Sequence, residues 1–509
     1  MNEHVQIRLH PQGTELDVER GTPLQDILFP HGVEFPCGGR GRCKGCRIRL
    51  LQGTLPVTEE QERMLTAEEI QAGWRLSCQC SAERDITIEL AQWEASILTD
   101  HRAFDFHPRE GLAIAVDLGT TTIVAQLLDL KTARVLAVRT GLNPQARFGA
   151  DVMSRVSFAV EEGGHNRLVE SVRGHIGKMV DELLEAAESD PRDVADVVLV
   201  GNSVMHHLFC DLDLSPLAHY PFESATLGEY NFRGTELDWL SLERARVRFL
   251  PCIGGYVGSD ILAGVVATGM HRSKEIVALV DLGTNGEIVL GNRDRLVCSS
   301  TAAGPAFEGA RIFMGMRAST GAISEVHVEG GKLTCHVLGN VSPKGICGSG
   351  LVDAVAACLD LGLIQSNGRL SQKTGYLTLC SPVRLSQTDI RELQLAKGAI
   401  AAGIRILMDE SGLKKEQLSA IYLAGAFGNY INIASAGRIG LIPFPEEMVE
   451  ASGNTALLGG KMSLFADDDE FSQLAGSIEH ISLHAHPLFQ DIYIEEMSFP
   501  GEPQPSDRE

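Results

Sequence analysis

Four cysteines near the amino end have the spacing of ligands for an iron–sulfur cluster. Cys37, Cys43 and Cys46 fall within ten residues, five residues separate the first two and two separate the last two, and Cys78 follows at a distance. Three thiolates from one loop and a fourth from elsewhere are the ligands of a ferredoxin-type [2Fe-2S] cluster. The glycines of the stretch PCGGRGRCKGC let the backbone wrap closely round such a cluster. We therefore expect the protein to transfer electrons.

Other interpretations of the cysteines remain open. Cys80 could replace Cys78 as the fourth ligand, but the segment WRLSC, which ends at Cys78, resembles the matching segment of ferredoxins. A zinc site normally has two CxxC pairs, and only Cys43 and Cys46 form one in this loop. A disulfide framework is disfavoured because the sequence opens without a signal peptide and is long enough to build large cores.

The net charge and the basic residues of the cysteine loop indicate which classes of binding partner the protein could have. The formal net charge of −23 excludes a partner with a phosphate backbone, so we expect no binding to nucleic acid. Against this background five basic residues crowd around the cysteines, which favours either a docking collar for an acidic redox partner or simple compensation of an anionic cluster. They are Arg40, Arg42, Lys44, Arg47 and Arg49.

Two similar phrases, far apart along the chain, have the residues of a phosphate-binding site. They read IAVDLGTTTIVAQLLD at 114–129 and ALVDLGTNGEIVLGN at 278–292, which indicates a duplicated unit with two hairpins. Glycine lets turn N–H groups approach phosphate oxygens, hydroxyl and amide side chains add donors, and the aspartates can hold hydrated Mg²⁺. The candidates are Asp117, Gly119, Thr120 and Thr121 in the first hairpin and Asp281, Gly283, Thr284, Asn285 and Gly286 in the second.

Two further sets of residues deserve a chemical interpretation. Glu308 lies in the glycine-flanked turn GPAFEGA shortly after the second hairpin, where it could coordinate the metal through water. His206 and His207 stand beside Met205 and Leu208 at the start of a predicted helix. We expect packed histidines there rather than catalytic ones.

The hairpins, together with AIYLAGAFGN at 420–429, resemble the phosphate-1, phosphate-2 and adenosine motifs of the actin, sugar kinase and Hsp70 ATPase superfamily. The resemblance implies that Gly425, Ala426 and Gly428 let the backbone lie against the nucleoside of ATP. With VGNSVMHHL at 200–208 and GPAFEGA at 304–310, the combination of a [2Fe-2S] domain and this ATPase core resembles the reductive activators of corrinoid proteins.

Period-two and helical patterns predict an α+β multidomain chain. Val5, Ile7 and Leu9 alternate with polar residues as in a β-hairpin, and ITIEL at 86–90 reads as a further strand, which is the order of a β-grasp ferredoxin domain. Helical spacing from Val169 to Ala187 precedes the strand VADVVLVGN, as expected for mixed sheets flanked by helices. The predicted domains are the ferredoxin at 1–90, a linker at 91–111, lobe I at 112–274 and lobe II at 275–485 of a two-lobed actin-like (ribonuclease H-like) ATPase, and a C-terminal extension with a mobile tail at 486–509.

The family resemblance implies an ATP-dependent iron–sulfur reductase. One electron would pass from the cluster to Co(II) of a corrinoid protein in a methyltransferase system and regenerate Co(I), with ATP and Mg²⁺ as further cofactors. Because no strand-turn-helix GxGxxG stands out, the electrons must come from an external low-potential donor. Actin-like cores often pair, which is compatible with a homodimer. No apolar run reaches the length that spans a bilayer, so we expect no membrane partner and place the protein in the cytoplasm.

Two other functions remain open at this stage. The first is ATP-dependent electron donation to a different low-potential enzyme, such as a dehydratase or reductase. The second is a regulator in which an iron–sulfur redox sensor opens or closes an Hsp70-like pair of lobes without turnover.

Overall fold

The computed structural model describes residues 4–10, 14–28, 31, 33, 46–90, 104–149, 151–283, 285–309, 311–318, 321–338, 341–372, 374–467 and 469–501. The chain divides into two compact units. Unit 1 comprises Met1–Ala267 and Asn454–Ala475, and unit 2 comprises Thr268–Gly453 and Gly476–Glu509. Within the described residues, no helix combines the length and apolar character that crossing a lipid bilayer requires.

Unit 1 begins with the predicted ferredoxin-like domain. Its elements are β1 (His4–His10), β2 (Thr14–Glu19), α1 (Leu24–Leu28), β3 (Arg47–Gln52), α2 (Glu59–Met64), α3 (Ala67–Gln71), β4 (Trp74–Leu76) and β5 (Ile86–Leu90). The strands form one sheet in the order β2-β1-β5-β3-β4. The predicted hairpin is confirmed, because β1 pairs antiparallel with β2 and buries Val5, Ile7 and Leu9. The segment ITIEL is β5, at the centre of the sheet.

The rest of unit 1 is built on a six-stranded mixed sheet. Its strands are β6 (Leu112–Leu118), β7 (Thr122–Asp129), β8 (Val135–Leu142), β9 (Val194–Val200), β10 (Tyr230–Arg233) and β11 (Arg246–Phe249), in the order β10-β11-β9-β6-β7-β8. The first helices of this part are α4 (Val152–Val160), α5 (His165–Ala186), α6 (Ser203–Cys210), α7 (Ser215–Ala218) and α8 (Ser259–Thr268). The helical spacing seen in the sequence corresponds to α5, which buries Val169, Val172 and Ile176.

Unit 2 repeats this plan with additions. Its strands are β12 (Ile276–Leu282), β13 (Gly286–Asn292), β14 (Arg295–Thr301), β15 (Ala322–Glu329), β16 (Lys332–Val337), β17 (Gly345–Ile346), β18 (Tyr376–Cys380), β19 (Val383–Ser386), β20 (Leu418–Ala424), β21 (Val449–Ala451) and β22 (Ile478–His480). The main sheet has the order β21-β20-β12-β13-β14-β22, and smaller sheets are formed by β16-β15-β17 and β18-β19. The remaining helices of the chain are α9 (Gly348–Asp360), α10 (Gln387–Glu410), α11 (Gly425–Tyr430), α12 (Ile433–Arg438), α13 (Thr455–Ser463), α14 (Glu470–Ser477) and α15 (Phe489–Glu496).

The two six-stranded sheets share a five-strand core of the same topology. In unit 1, β6, β7 and β8 are successive antiparallel neighbours, while β9 and β11 run parallel to β6 on its other side. In unit 2, β12, β13 and β14 are likewise successive antiparallel neighbours, and β20 and β21 run parallel to β12 on its other side. Asp117 lies opposite Val200 in its sheet, and Asp281 lies opposite Ala424 in the other. The duplication predicted from the repeated phrases is therefore present in strand order and in register.

Helix α13 packs on the sheet of unit 1 although it follows most of unit 2 in sequence. It lies against β6 and β9, and its glycine at 459 also allows a close approach to helix α8, which contains Ala263. A Cβ atom on Gly459 would lie 2.0 Å from the carbonyl oxygen of Ala263, and one on Gly460 would lie 3.5 Å from Val200 Cγ1. Lobe boundaries drawn along the sequence do not anticipate this return.

The described part of the predicted linker is anchored to unit 1. The rings of Phe104 and Phe106 pack against Phe465, with centroid distances of 5.6 and 5.0 Å. Arg109 donates to the carbonyl oxygen of Leu464 and forms an ion pair with Asp196 at 3.1 Å. Residues 91–103 lie outside the described residues.

The C-terminal extension contains α15, which packs on α10. Beyond it, Gln394 Nε2 donates to the carbonyl of Met497 at 2.8 Å and the buried Lys397 Nζ donates to that of Ser498 at 3.0 Å. These bonds hold the chain to α10 as far as the described residues reach. The predicted mobile tail falls mostly on 502–509, which lie outside them.

Candidate functional site

Two of the four predicted cluster ligands are described, and the fold brings them together. Cys46 directly precedes β3 and Cys78 follows β4, and these strands pair antiparallel with Arg47 opposite Leu76. Ser77 donates to the carbonyl of Cys46 through its N–H (3.1 Å) and its hydroxyl (2.8 Å). The sulfur atoms of Cys46 and Cys78 are consequently 3.4 Å apart. Cys37 and Cys43 lie outside the described residues.

Cys80 occupies a different environment from Cys78. Its thiol donates to the carbonyl of Leu76 at 3.4 Å and accepts from Gln61 Nε2 at 3.7 Å, inside the domain core. Burial raises the pKa of the Cys80 thiol to about 11, and its hydrogen bonds direct it away from the pair formed by Cys46 and Cys78. This placement supports Cys78 as the fourth ligand.

The paired thiols fit the donor set of an iron–sulfur cluster. The hydrogen bond from Cys46 to Cys78 and burial raise the pKa of the Cys46 thiol in the protein alone. Iron deprotonates a coordinating thiol outright, so a metal would replace the sulfur–sulfur hydrogen bond by two metal–sulfur bonds.

Two of the five basic residues near the cysteines are used inside the domain. Arg49 is buried, donates to the carbonyl of Ala72 at 2.7 Å and lies 3.9 Å from the Glu89 carboxylate. The guanidinium carbon of Arg47 is 5.5 Å from the centroid of the Trp74 ring, an attractive cation–π contact. Arg49 therefore cannot belong to a docking collar. Arg40, Arg42 and Lys44 lie outside the described residues.

The first phosphate hairpin of unit 1 has a tight turn that requires glycine. Gly119 N–H donates to the carbonyl of Thr122 at 3.1 Å, and a Cβ atom on Gly119 would lie 2.6 Å from that oxygen. The Thr120 hydroxyl accepts from Asn202 Nδ2 at 3.0 Å. Asn202 also caps α6, since its side chain accepts from the N–H of Met205. The segment VGNSV at 200–204 is therefore hydrogen-bonded to the turn through Asn202.

Asp117 is the penultimate residue of β6, beside this turn, and it is held by a residue that no motif in the sequence singles out. Asn454 Nδ2 donates to Asp117 Oδ2 at 2.8 Å. Asp117 is partly buried, and this burial raises its pKa to about 6. The hydrogen bond from Asn454 lowers this pKa but does not cancel the effect of burial. At neutral pH the group is therefore mostly ionised, and a carboxylate is a ligand that Mg²⁺ prefers.

The second phosphate hairpin lies at the matching place in unit 2. Gly283 N–H donates to the carbonyl of Asn285 at 3.0 Å, which closes the turn around Thr284, itself outside the described residues. Gly286 opens β13, and a Cβ atom there would lie 2.8 Å from the Ile400 side chain on α10. This glycine serves close packing between strand and helix.

Asp281 and the adenosine motif meet at the end of β12. Gly425 has φ of +79°, and a Cβ atom on it would lie 2.5 Å from Asp281 Oδ1. Gly425 N–H donates to the carbonyl of Gly453 at 3.1 Å. Gly428 lies farther along α11, where a Cβ atom would be 3.2 Å from the carbonyl carbon of Leu423. Ala426 belongs to the same short helix. Glycine at 425 thus leaves space for a carboxylate that a larger residue would displace.

In unit 2, the turn that contains Phe307, the short helix that contains Phe427 and the start of α9 at Gly348 lie together. Phe307 and Phe427 lie with ring centroids 4.6 Å apart and planes inclined by 24°. A Cβ atom on Gly348, at the start of α9, would lie 1.8 Å from the carbonyl oxygen of Phe307. Glu308 is partly exposed at the end of the same one-turn helix, Pro305–Glu308, between two glycines with positive φ. Its role at a metal stays a prediction.

His206 and His207 are fully buried on α6. His206 Nε2 is 3.0 Å from the carbonyl of Gly228, and His207 Nδ1 is 2.7 Å from that of Ser203, so these nitrogens carry the protons. Burial lowers the pKa of His206 to about 3. Both rings are neutral packing residues, as the sequence analysis expected.

Family comparisons cover nearly the whole chain. Residues 7–83 match the family described as 2Fe-2S iron-sulfur cluster binding domain, residues 112–273 match the RACo middle region, and residues 275–507 match the C-terminal domain of RACo, the ASKHA domain. These matches support a [2Fe-2S] cluster in the first domain and nucleotide binding in the last.

Individual relatives match this chain over most of their own length. The corrinoid activation enzyme RamQ of Eubacterium limosum is 35% identical over 434 residues, which are 78% of this chain and 73% of that protein. The [Co(II) methylated amine-specific corrinoid protein] reductase of Methanosarcina barkeri is 29% identical over 425 residues, 76% of each chain. A solved structure titled reductive activator for corrinoid, iron-sulfur protein superposes with a TM-score of 0.70 at 27% identity and covers 99% of this chain and 100% of its own.

Proposed function

Because the chain belongs to the family of reductive activators of corrinoid proteins, we propose that it passes one electron to Co(II) of a corrinoid protein and regenerates Co(I), at the expense of ATP. The observation that carries the proposal is the matched position of Asp117 and Asp281 in two sheets of one topology, in a chain that begins with a ferredoxin-like domain. A carrier of electrons and a binder of nucleotide are thus joined in one protein.

The redox chemistry explains why an electron carrier needs an ATPase. Plant-type ferredoxin clusters have potentials near about −400 mV, and for a one-electron step each shortfall of about 59 mV costs about 1.4 kcal/mol. A corrinoid acceptor of much lower potential is therefore reduced only if the complex is changed. Nucleotide-driven closure of the two ATPase lobes is the change that we propose.

Separate groups of residues do the separate tasks. Cys46 and Cys78, with Cys37 and Cys43, would hold the [2Fe-2S] cluster, which supplies a one-electron carrier when bound. The turn at Gly119–Thr121 and that at Gly283–Gly286 would present N–H and side-chain donors to the phosphates of ATP. Asp117 and Asp281, with Glu308 through water, would hold Mg²⁺, and the wall formed by Gly425, Ala426 and Gly428 would face the nucleoside.

The proposed partners follow from this chemistry. The corrinoid protein belongs to a methyltransferase system, because such systems use Co(I) as the methyl acceptor. An external low-potential donor reduces the cluster, and the homodimer stays a proposal that rests on the tendency of actin-like cores to pair. The cytoplasmic location is also a proposal, supported by cysteines such as Cys210 and Cys358 that are buried and outside any disulfide.

An anaerobic reduction assay tests the function. The protein with its cluster intact is mixed with a Co(II) corrinoid protein and a chemical reductant, and Co(I) is followed in the visible spectrum with and without Mg-ATP. We expect Co(I) bands only with ATP, and Co(I) in equal amount without nucleotide would refute the coupling. Other low-potential acceptors tested side by side identify a different electron-transfer partner, and ATP-independent affinity changes with cluster oxidation state identify a regulator.

A further inference from the structure

The carbonyl groups of the first phosphate turn are bound from the protein interior. Asn143 Nδ2 donates to the carbonyl of Gly119 at 2.9 Å, and Arg155 Nη2 donates to that of Thr120 at 2.6 Å. The N–H of Asn143 donates to the carbonyl of Thr121 at 2.8 Å. Both donor residues are buried, since Asn143 is 1% exposed and Arg155 is 0% exposed. Three successive carbonyls of the turn are thus fixed by two residues beneath it.

Because the carbonyl groups are fixed, the geometry of the peptide bond also fixes the directions of the N–H groups that follow them. Within a planar trans peptide the C=O of one residue and the N–H of the next point in opposite directions. The N–H of Thr120 therefore points away from Asn143, and the N–H of Thr121 points away from Arg155. Both face the partly exposed side of the turn, where a phosphate would bind. Successive N–H groups directed to one side form an anion-binding concavity.

Arg155 ties the turn to three other elements. From its place on α4 it donates through Nε to the carbonyl of Gly149 at 3.0 Å and through Nη1 to Gln145 Oε1 at 3.3 Å and Met205 Sδ at 3.7 Å. Gln145 in turn donates to the carbonyl of Leu168 on α5. A planar guanidinium can satisfy these acceptors simultaneously in one fixed orientation, which a lysine ammonium cannot do.

We infer that Arg155 is a positioning residue for the triphosphate, which sets the orientation of the Thr120–Thr121 peptide without touching the ligand. The inference rests on the proposed function, because it assumes that the turn binds ATP. A purely structural buried arginine would stabilise unit 1 but would not distinguish a phosphorylated ligand from a nucleoside. The two roles therefore predict different binding data.

The test compares ATP and adenosine binding to the full-length protein with its cluster intact. In Arg155→Lys the peptide loses its charge-assisted donor in the required geometry, so we expect ATP affinity to fall roughly tenfold to a hundredfold. Adenosine affinity, measured by competition, should change less than about twofold because adenosine makes no contact with the turn. An equal loss for both ligands, or no loss for either, overturns the inference.

A matched control and a second variant complete the experiment. Arg173, on α5 of unit 1, donates to the carbonyl of Phe209 at 2.8 Å, and Arg173→Lys should leave the ATP-to-adenosine ratio unchanged. If Arg155→Lys fails to fold, Arg155→Gln, whose shorter side chain also lacks the donor to Thr120, must lower ATP affinity selectively, and an unchanged ratio there overturns the inference. Absence of ATP binding by the unaltered protein would instead refute the proposed function, and the inference with it.

Discussion

Asn454 donates to the carboxylate of Asp117 across 337 residues of sequence, with 2.8 Å between Nδ2 and Oδ2. The other end of the same amide is also used, since Asn454 Oδ1 accepts from the N–H of Leu457 and caps α13. These two bonds fix which end of the amide faces the carboxylate. The orientation of a candidate metal ligand therefore depends on the start of a distant helix.

Replacement of Asn454 should shift the pH dependence of ATP hydrolysis. Serine preserves the helix cap but cannot reach Asp117, so Asn454→Ser removes a hydrogen bond that lowers the Asp117 pKa. We expect that pKa to rise from about 6 by about one further unit. Because the carboxylate must be ionised to hold the cation, the acid limb of the rate profile should move to higher pH. Asn432→Ser, at the cap of α12, is the matched control, and an acid limb that stays in place would contradict the prediction.

Asp117 should also cost stability at neutral pH. Its folded pKa of about 6 exceeds the usual aspartate value of 3.8, so the folded state binds the proton more tightly and the free energy of unfolding falls as pH rises from about 4 to about 6. Asp117→Asn removes this cost. We expect the variant to be more stable than the unaltered protein by about 1 to 3 kcal/mol at pH 7, with no difference below about pH 4. Urea unfolding at several pH values measures the effect.

A second carboxylate with a raised pKa is the control for Asp117→Asn. Asp353 on α9 is buried, accepts from the N–H of Val326 at 3.3 Å, and burial raises its pKa to about 6. Asp353→Asn should give the same pH-dependent gain in stability but retain ATP hydrolysis, whereas Asp117→Asn should lose it by roughly a hundredfold or more. Loss of hydrolysis in both variants would argue against a specific role for Asp117.

The two neighbouring cysteines should differ in their effect on the cluster. Cys78→Ser should lose most of the iron and acid-labile sulfide per chain, because the sulfur beside Cys46 is removed. Cys80→Ser should keep both, since the Cys80 thiol faces Gln61 and Leu76 in the core. Iron and sulfide analysis with EPR of the reduced, anaerobically purified proteins decides between them. Cluster retention in Cys78→Ser with loss in Cys80→Ser would reverse the assignment.

Gly425 should not tolerate a side chain. Alanine would be strained at a φ of +79°, and its Cβ atom would push against Asp281 Oδ1, 2.5 Å away. We expect Gly425→Ala to lower the rate of Mg-ATP hydrolysis at least about tenfold, through displacement of the Asp281 carboxylate. Gly437→Ala is the control, because a Cβ atom there has only an ordinary contact at 3.8 Å. Equal rates in the two variants would contradict the proposed position of Asp281.

Local patterns in the sequence predicted much of the fold. Helix α5 and strand β1 follow from periodic burial, which is a property of neighbouring residues. The repeated Asp-Leu-Gly-Thr phrase predicted the duplicated sheet, because one sequence pattern folds into one strand-turn-strand unit. The glycine at 425 was also recognisable, since a small residue after an apolar strand marks a close approach.

The supporting residues of the sites were not predictable in the same way. Asn454 reads in sequence as an ordinary helix cap, and only the return of the chain to unit 1 places its nitrogen on Asp117. Arg155 lies on a helix and carries no signal that it would be buried beneath a turn. The stack of Phe307 on Phe427 joins two motifs that lie far apart in the sequence. Such contacts depend on tertiary packing alone.

Because Asn454–Ala475 returns to unit 1, the chain crosses between the units three times, after Ala267, after Gly453 and after Ala475. A shortened chain that ended at Ala267 would uncover the apolar face of β6 and β9 and leave Asp117 without its amide donor. An autonomous fragment would have to carry Asn454–Ala475 as well, joined to the earlier part by a short peptide. Gene fusions and fragment exchanges within this family should accordingly be designed with junctions on both sides of that segment.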